Sequence, residues 1–158
     1  MFKIQLMISQ TFNLVQYFSN FLFYSVFFFL FFSQNLTSGD LILKIKNFDN
    51  QSGLIHIAIY NEQEKFPKKN GKFVGFKDKI SNIITNNYEI NDLEEGVYAI
   101  AIFHDENSND KFDSFFGIPN EKYGFSNNPS TFLSAPKFEQ SSFNLGKNEK
   151  RVIEIELK

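Results

Sequence analysis

The sequence predicts an all-β fold: a single antiparallel β-sandwich of about seven strands over residues 40–158, with one long loop after its central strand. Three observations predict it. Apolar and polar residues alternate with a period of two in several short stretches, as in strands with one wet face. Asn, Ser and Gly punctuate those stretches at short intervals. No segment beyond residue 40 holds a convincing helical period, which leaves stacked sheets as the way to bury the apolar faces.

The elements follow in order. Leu41, Leu43 and Ile45 alternate with Ile42, Lys44 and Lys46 in a first strand. The turn signal Asn50-Gln51-Ser52-Gly53 precedes a second, Leu54 to Tyr60. Ile80, Ile83 and Ile84 lie in a weaker strand candidate. Tyr88-Glu89-Ile90 leads into a turn at Asp92 to Gly96. Val97 to Phe103 is the most apolar strand and is placed at the centre, with Tyr98, Ile100, Ile102 and Phe103 as core candidates. Phe138 to Leu145 is a further strand, and Val152 to Leu157 closes the chain with a clean alternation. Two irregular segments remain, Asn61 to Lys72 and the much longer His104 to Pro136. A loop of the second length is unusual unless it is functional or tied down internally.

Residues 1–33 read as a signal peptide and 34–39 as a short polar segment. Ten of the 22 phenylalanines fall before position 34, and Lys3 is the only charged side chain there. The apolar run Phe21 to Phe32 has the length of a signal-peptide core rather than a bilayer span of about 20 residues. Ser33 follows, so cleavage is expected just after it; an uncleaved anchor is the competing reading. Both place residues 40–158 outside the cytoplasm, in the periplasm, at the cell surface or secreted. The absence of cysteine rules out disulfides, a Cys zinc site, a thiol nucleophile and a lipoprotein anchor. A formal charge of −2 argues against a nucleic-acid partner held through phosphates.

The chemistry is concentrated after the central strand, in His104-Asp105-Glu106-Asn107-Ser108-Asn109-Asp110-Lys111-Phe112-Asp113. With Asp105 as position 1, oxygen side chains fall at Asp105, Asn107, Asn109 and Asp113, with the Lys111 carbonyl between the last two. A tightly curling loop turns alternate side chains inward around a hard cation, and this is the ligand spacing of a calcium loop. Oxygen donors favour calcium over zinc, and the loose geometry disfavours magnesium. Position 6 is Asp110 where such loops want Gly, and position 12 is Phe116, so the bidentate carboxylate is missing from its usual place. Glu121 or Asp110 is the candidate to supply it. The alternative is an Asx-rich turn in which these side chains cap their own backbone. A site with two certain carboxylates predicts a Kd of about 10⁻⁴–10⁻³ M.

His104 reads as a strand-end histidine bonded to a loop carbonyl or to Asp105. His56, alternating with Ile55 and Ile57, reads as a solvent-face residue. The aromatic segment from Phe115 to Phe125 offers Phe116, Tyr123 and Phe125 as candidates for a ligand groove, or as rings packed over the edge of the sandwich. Lys65, Lys68, Lys69 and Lys72 read as a solvated basic loop.

Several of these residues form a longer pattern: Leu93-x-x-Gly96-x-Tyr98-Ala99, Phe103-His104-Asp105-x-Asn107-x-Asn109, Asp113, and Gly117-Ile118-Pro119-x-Glu121-x-Tyr123-Gly124-Phe125-Ser126-Asn127, with Pro136-x-Phe138 and Phe143 beyond. This pattern resembles the domain of unknown function 2141 family over most of residues 40–158. The resemblance implies an exported bacterial protein with a small β-sandwich domain, and it brings no established activity. The family usually has Gly where this chain has Asp110. The Leu93-x-x-Gly96-x-Tyr98 element is also similar to the strand entry of transthyretin-like and collagen-adhesin B-type sandwiches, of general immunoglobulin-like architecture; that is an analogy of fold alone.

Three function classes follow. The first is an extracytoplasmic binding or interaction module with a structural calcium loop and a protein or carbohydrate partner. The second is a periplasmic binder of a sugar or small apolar ligand at the aromatic loop. An enzyme is the least favoured, because no Ser-His-Asp arrangement or His-rich metal cluster is legible.

Overall fold

The computed structural model describes residues 38–131 and 134–158, together with residues 16, 17, 20–23 and 25. The chain divides into two units, Met1–Leu36 and Thr37–Lys158. In the first, the few described residues are helical. The Ser33 junction and most of the Phe21 to Phe32 run lie outside the described residues. Among the described residues, no helix is long and apolar enough to cross a membrane.

Thr37–Lys158 is a β-sandwich. One layer has three strands in the order β10-β1-β4: β1 is Ser38–Lys46, β4 is Tyr88–Glu94 and β10 is Lys150–Glu156. The other layer runs β3-β2-β5-β8, with β2 Leu54–Tyr60, β3 Val74–Lys79, β5 Gly96–Asp105 and β8 Tyr123–Phe125. A further strand, β9 (Ser142–Leu145), shares the β8 side of β5, pairing with its first half while β8 pairs with its second. A two-stranded hairpin, β6 (Ser114–Phe115) and β7 (Ile118–Pro119), stands apart from both layers.

The main core lies between the layers. Leu41, Leu43, Ile153, Ile155 and Leu157 from one sheet meet Ile55, Ile57, Ile59, Tyr98, Ile100 and Ile102 from the other, all buried. Each set is one face of an alternating strand, which is why the period-two pattern located it. Among the described residues, this core, and a smaller one around Tyr60, Phe66, Ala99 and Phe125, is drawn from Thr37–Lys158. That unit has a hydrophobic core of its own, as a folding domain requires.

The all-β sandwich and the central position of the fifth strand agree with the sequence, and several details differ. β3 is not among the strands expected, the turn expected from Asp92 to Gly96 is largely the end of β4 and the start of β5, and the segment from His104 to Pro136 carries β6, β7 and β8. Ile80, Ile83 and Ile84 are not a strand but lie in a short helix, α1 (Ile80–Thr85). Three β-branched residues favour a strand by propensity, but Ile80 and Ile83 are one helical turn apart and both are buried, while Ile84 is exposed. Phe138–Ser141 forms one helical turn, α2, before β9 begins, so the strand expected from Phe138 starts at Ser142. The ladder between β1 and β10 is parallel, whereas β1–β4 and the pairings of the larger sheet are antiparallel. Finally, Phe103 is absent from the core: it lies on the opposite face of β5 from Ile100 and Ile102, where it stacks on His56.

Candidate metal centre

The site begins at the end of β5. Asp105 is its last residue and is completely buried. Its Oδ1 accepts a hydrogen bond from the Asn109 backbone N–H at 3.0 Å, and its Oδ2 accepts one from Asp110 at 2.8 Å. Both bonds fold the loop back over the strand end. Asn107 Oδ1 also accepts from the Asn109 N–H, and Asn109 Oδ1 from the Lys111 N–H at 2.8 Å. The curl needs left-handed backbone at Ser108 and Asp110, with φ of 57° and 62°. Asp110 therefore adopts the conformation usually supplied by Gly at this position, one that Asp visits more readily than most residues.

The ring closes at Asp113. The side-chain amides of Asn107 and Asn109 both donate to Asp113 Oδ2, at 2.8 and 2.9 Å. After Asp113 the chain enters the β6–β7 hairpin, whose turn residues Phe116 and Gly117 both have positive φ, as a two-residue hairpin requires. The hairpin returns at Asn120, whose N–H donates to the Asp113 carbonyl at 2.9 Å. That register sets Glu121 beside Asp113, and the Asp113 N–H donates to Glu121 Oε2 at 3.0 Å.

Glu121 is buried, and its Oε1 has no hydrogen-bond partner in good geometry. Burial raises its carboxyl above the usual range, and the charges of Asp105 and Asp113 push the same way; the backbone N–H groups of Asp113 and Glu106 offset part of this. A buried carboxylate with one oxygen outside good hydrogen-bond geometry, beside two further carboxylates, is a costly arrangement for a protein to keep. A bound cation would relieve it.

Hydrogen bonds thus link Asp105, Asn107, Asn109, Asp113 and Glu121 in one network around the loop, with the Lys111 backbone N–H bonded into it. Among the described residues, the group of His and carboxylate ligand atoms that converges within 4.8 Å is instead His56, Asp105 and Asp110. The Asp110 side chain is not part of the network. It turns outward to Lys77 Nζ at 2.8 Å, which holds its carboxyl below the ordinary range. Phe116, at position 12, is 91% exposed at the hairpin tip and is remote from any ligand role. Two of the three aromatic candidates meet: Tyr123 and Phe125 pack edge to face, with centroids 5.9 Å apart, over the smaller core, where Phe125 also contacts Phe66, while Phe116 stands away at the hairpin tip. A depression of about 310 Å³ is lined by residues of β1, α1 and the segment after it, such as Lys44 and Ile84, and by none of these aromatics.

His104 is fully buried, with its Nε2 2.7 Å from the Ser52 carbonyl, as a structural strand-end histidine. His56 was underrated by its alternation. It does lie on the outer face of β2, but its Nε2 is 3.2 Å from Asp105 Oδ2 and 3.5 Å from Asp110 Oδ1. The three side chains sit within 4.8 Å of one another, though Lys77 already neutralises Asp110. Gly53, at the start of this strand, passes so close to the Asp105 carbonyl that a Cβ would lie 2.2 Å from it, and its φ is +78°. Only glycine fits there.

The family described as "uncharacterized protein conserved in bacteria" (DUF2141) matches residues 43–153, and the chain belongs to it. No curated protein and no solved structure matches the chain.

Proposed function

We propose that this DUF2141 domain is an exported binding or interaction module whose Asp105 to Asp113 loop, closed by Glu121, holds calcium as a structural ion. The observation that carries the metal reading is the buried Glu121 carboxylate, whose Oε1 lies outside good hydrogen-bond geometry, in a hydrogen-bonded network that also contains Asp105, Asp113 and two Asn side chains. Glu121 takes the place of the carboxylate that the loop lacks at position 12. The hairpin is what makes this substitution work, since it returns the chain to Asp113 eight residues later. All donors are oxygens, and Asn107 and Asn109 are exposed, so water can complete the shell of a seven-coordinate ion.

The ion would clamp the end of β5 to the segment entering β8 and fix the hairpin between them. Phe115, Phe116 and Ile118 on that hairpin are 64%, 91% and 69% exposed, an apolar cluster at a projecting tip. Such a cluster supports an interaction role better than an enzymatic one. Calorimetric titration of calcium into residues 37–158 is expected to give one site with a Kd of about 0.1 mM, with magnesium clearly weaker. The absence of saturable calcium binding would overturn the reading.

Export is part of the same proposal and rests on the Phe21 to Phe32 run followed by Ser33. N-terminal sequencing of protein recovered outside the cytoplasm should begin near Gln34. An intact Met1 or Met7 in the membrane fraction would favour an anchor.

A further inference from the structure

Two groups from other strands reach the loop, Lys77 from β3 and His56 from β2, and the contact of His56 with Asp105 has a definite geometry. His56 sits on β2 directly opposite Phe103 of β5 in the antiparallel ladder. The two rings stack nearly parallel, with centroids 4.4 Å apart and an interplanar angle of 4°. Phe103 is braced in turn by Phe112, 5.4 Å away. The imidazole is therefore held flat, with its Nε2 aimed at Asp105 Oδ2 at 3.2 Å.

Asp105 divides its two oxygens between different neighbours. Oδ1 faces the loop interior, where Asn109 reaches on to Asp113. Oδ2 faces outward and accepts from the Asp110 N–H and from His56. Two contacts on one carboxylate oxygen, with a third on the other from the Asn109 N–H, restrict rotation about its last torsion. Its other oxygen is then held toward the loop interior before any ion arrives.

We infer that His56 is a positioning residue for the metal loop: its Nε2–H holds Asp105 Oδ2 and so preorganises Oδ1 for calcium. This rests on the calcium reading above and names a residue 49 positions away that the loop's own spacing cannot reveal. Donors that orient a ligating carboxylate influence metal affinity by about 10–100-fold. Lys77 plays no equivalent part, because it is bonded to Asp110, whose side chain lies outside the network.

Two substitutions separate the hydrogen bond from the stacking. His56→Phe keeps an aromatic ring on Phe103 and removes the donor. His56→Gln keeps a terminal N–H near the same place and removes the aromatic stack. Calcium titrations of residues 37–158 should show a Kd about tenfold weaker for His56→Phe and within about threefold of wild type for His56→Gln. Thermal melts in chelator establish that each variant is folded and report any purely structural loss. If stacking mattered instead, the order would reverse, with His56→Gln the weaker binder; that result overturns the inference. Equal affinity of all three proteins overturns it as well and leaves the calcium site standing. Failure of the wild type to bind calcium removes the site itself, and the positioning role with it.

Discussion

Replacing Ile100 with alanine is expected to cost about 3–4 kcal/mol of unfolding free energy. Ile100 is completely buried at the middle of β5, the strand that pairs with β2 on one side and with β8 and β9 on the other. It faces the main core, where side chains from both layers enclose it. Truncation there removes the transfer free energy of several methyl groups and leaves a cavity that two sheets cannot collapse to fill. Denaturant unfolding should show a lower midpoint with an unchanged slope. Val97→Ala, on the same strand but half-exposed, is the control and should stay within about 0.5 kcal/mol. A comparable small loss for Ile100→Ala would mean that β5 does not carry the core.

Asp105→Ala is expected to cost about 3 kcal/mol even in chelator. Its carboxylate accepts from Asn109, Asp110 and His56 while fully buried, and alanine removes that shared acceptor and leaves the Asp110 N–H without its partner. This substitution therefore cannot by itself distinguish a metal ligand from the anchor of an Asx turn, because both roles predict a large loss. Glu121→Gln can. The glutamate is buried beside two other carboxylates with one oxygen outside good hydrogen-bond geometry, so its charge burdens the ion-free protein. Glutamine keeps an acceptor for the Asp113 N–H and offers an amide to the neighbouring carboxylates. In chelator the variant should melt at or above the wild type. In calcium it should gain nothing, having lost a charged ligand. A hydrogen-bonded turn with no metal predicts the same melting difference between the two proteins in both conditions.

What could be read from the sequence depended on whether a feature was local. β2 was legible residue for residue, since Leu54 to Tyr60 alternates without interruption. β3 was not, because Val74–Lys79 is an edge strand with Gly75, Lys77 and Lys79 on its exposed positions and only half-buried residues between. The parallel pairing of β1 with β10 was also beyond reach: alternation marks which face is buried and carries no information about strand direction. Phe103 was misplaced because an apolar run hides its own phase. Both faces of β5 carry apolar residues, and only the register against β2 shows that Phe103 shares the face of His56.

The loop was legible in its spacing from Asp105 to Asp113, which is a property of consecutive residues. Glu121 could be named only as a candidate. The signal that selects it is the hairpin: Phe116-Gly117 turns the chain so that Ser114 pairs with Pro119, which brings Glu121 back beside Asp113. His56 carried no such signal, since only the β2–β5 register connects it to Asp105.

The central claim is that this network of oxygens is a calcium site, and thermal melting of residues 37–158 in calcium and in chelator tests it most directly. With a Kd of about 0.1 mM and calcium at about 1 mM, the stabilisation is RT ln 11, about 1.4 kcal/mol. The account predicts a melting temperature about 5 °C higher in calcium for the wild type and no calcium-dependent shift for Glu121→Gln. Identical melting of the wild type in calcium and in chelator would contradict it and leave the loop as a hydrogen-bonded turn.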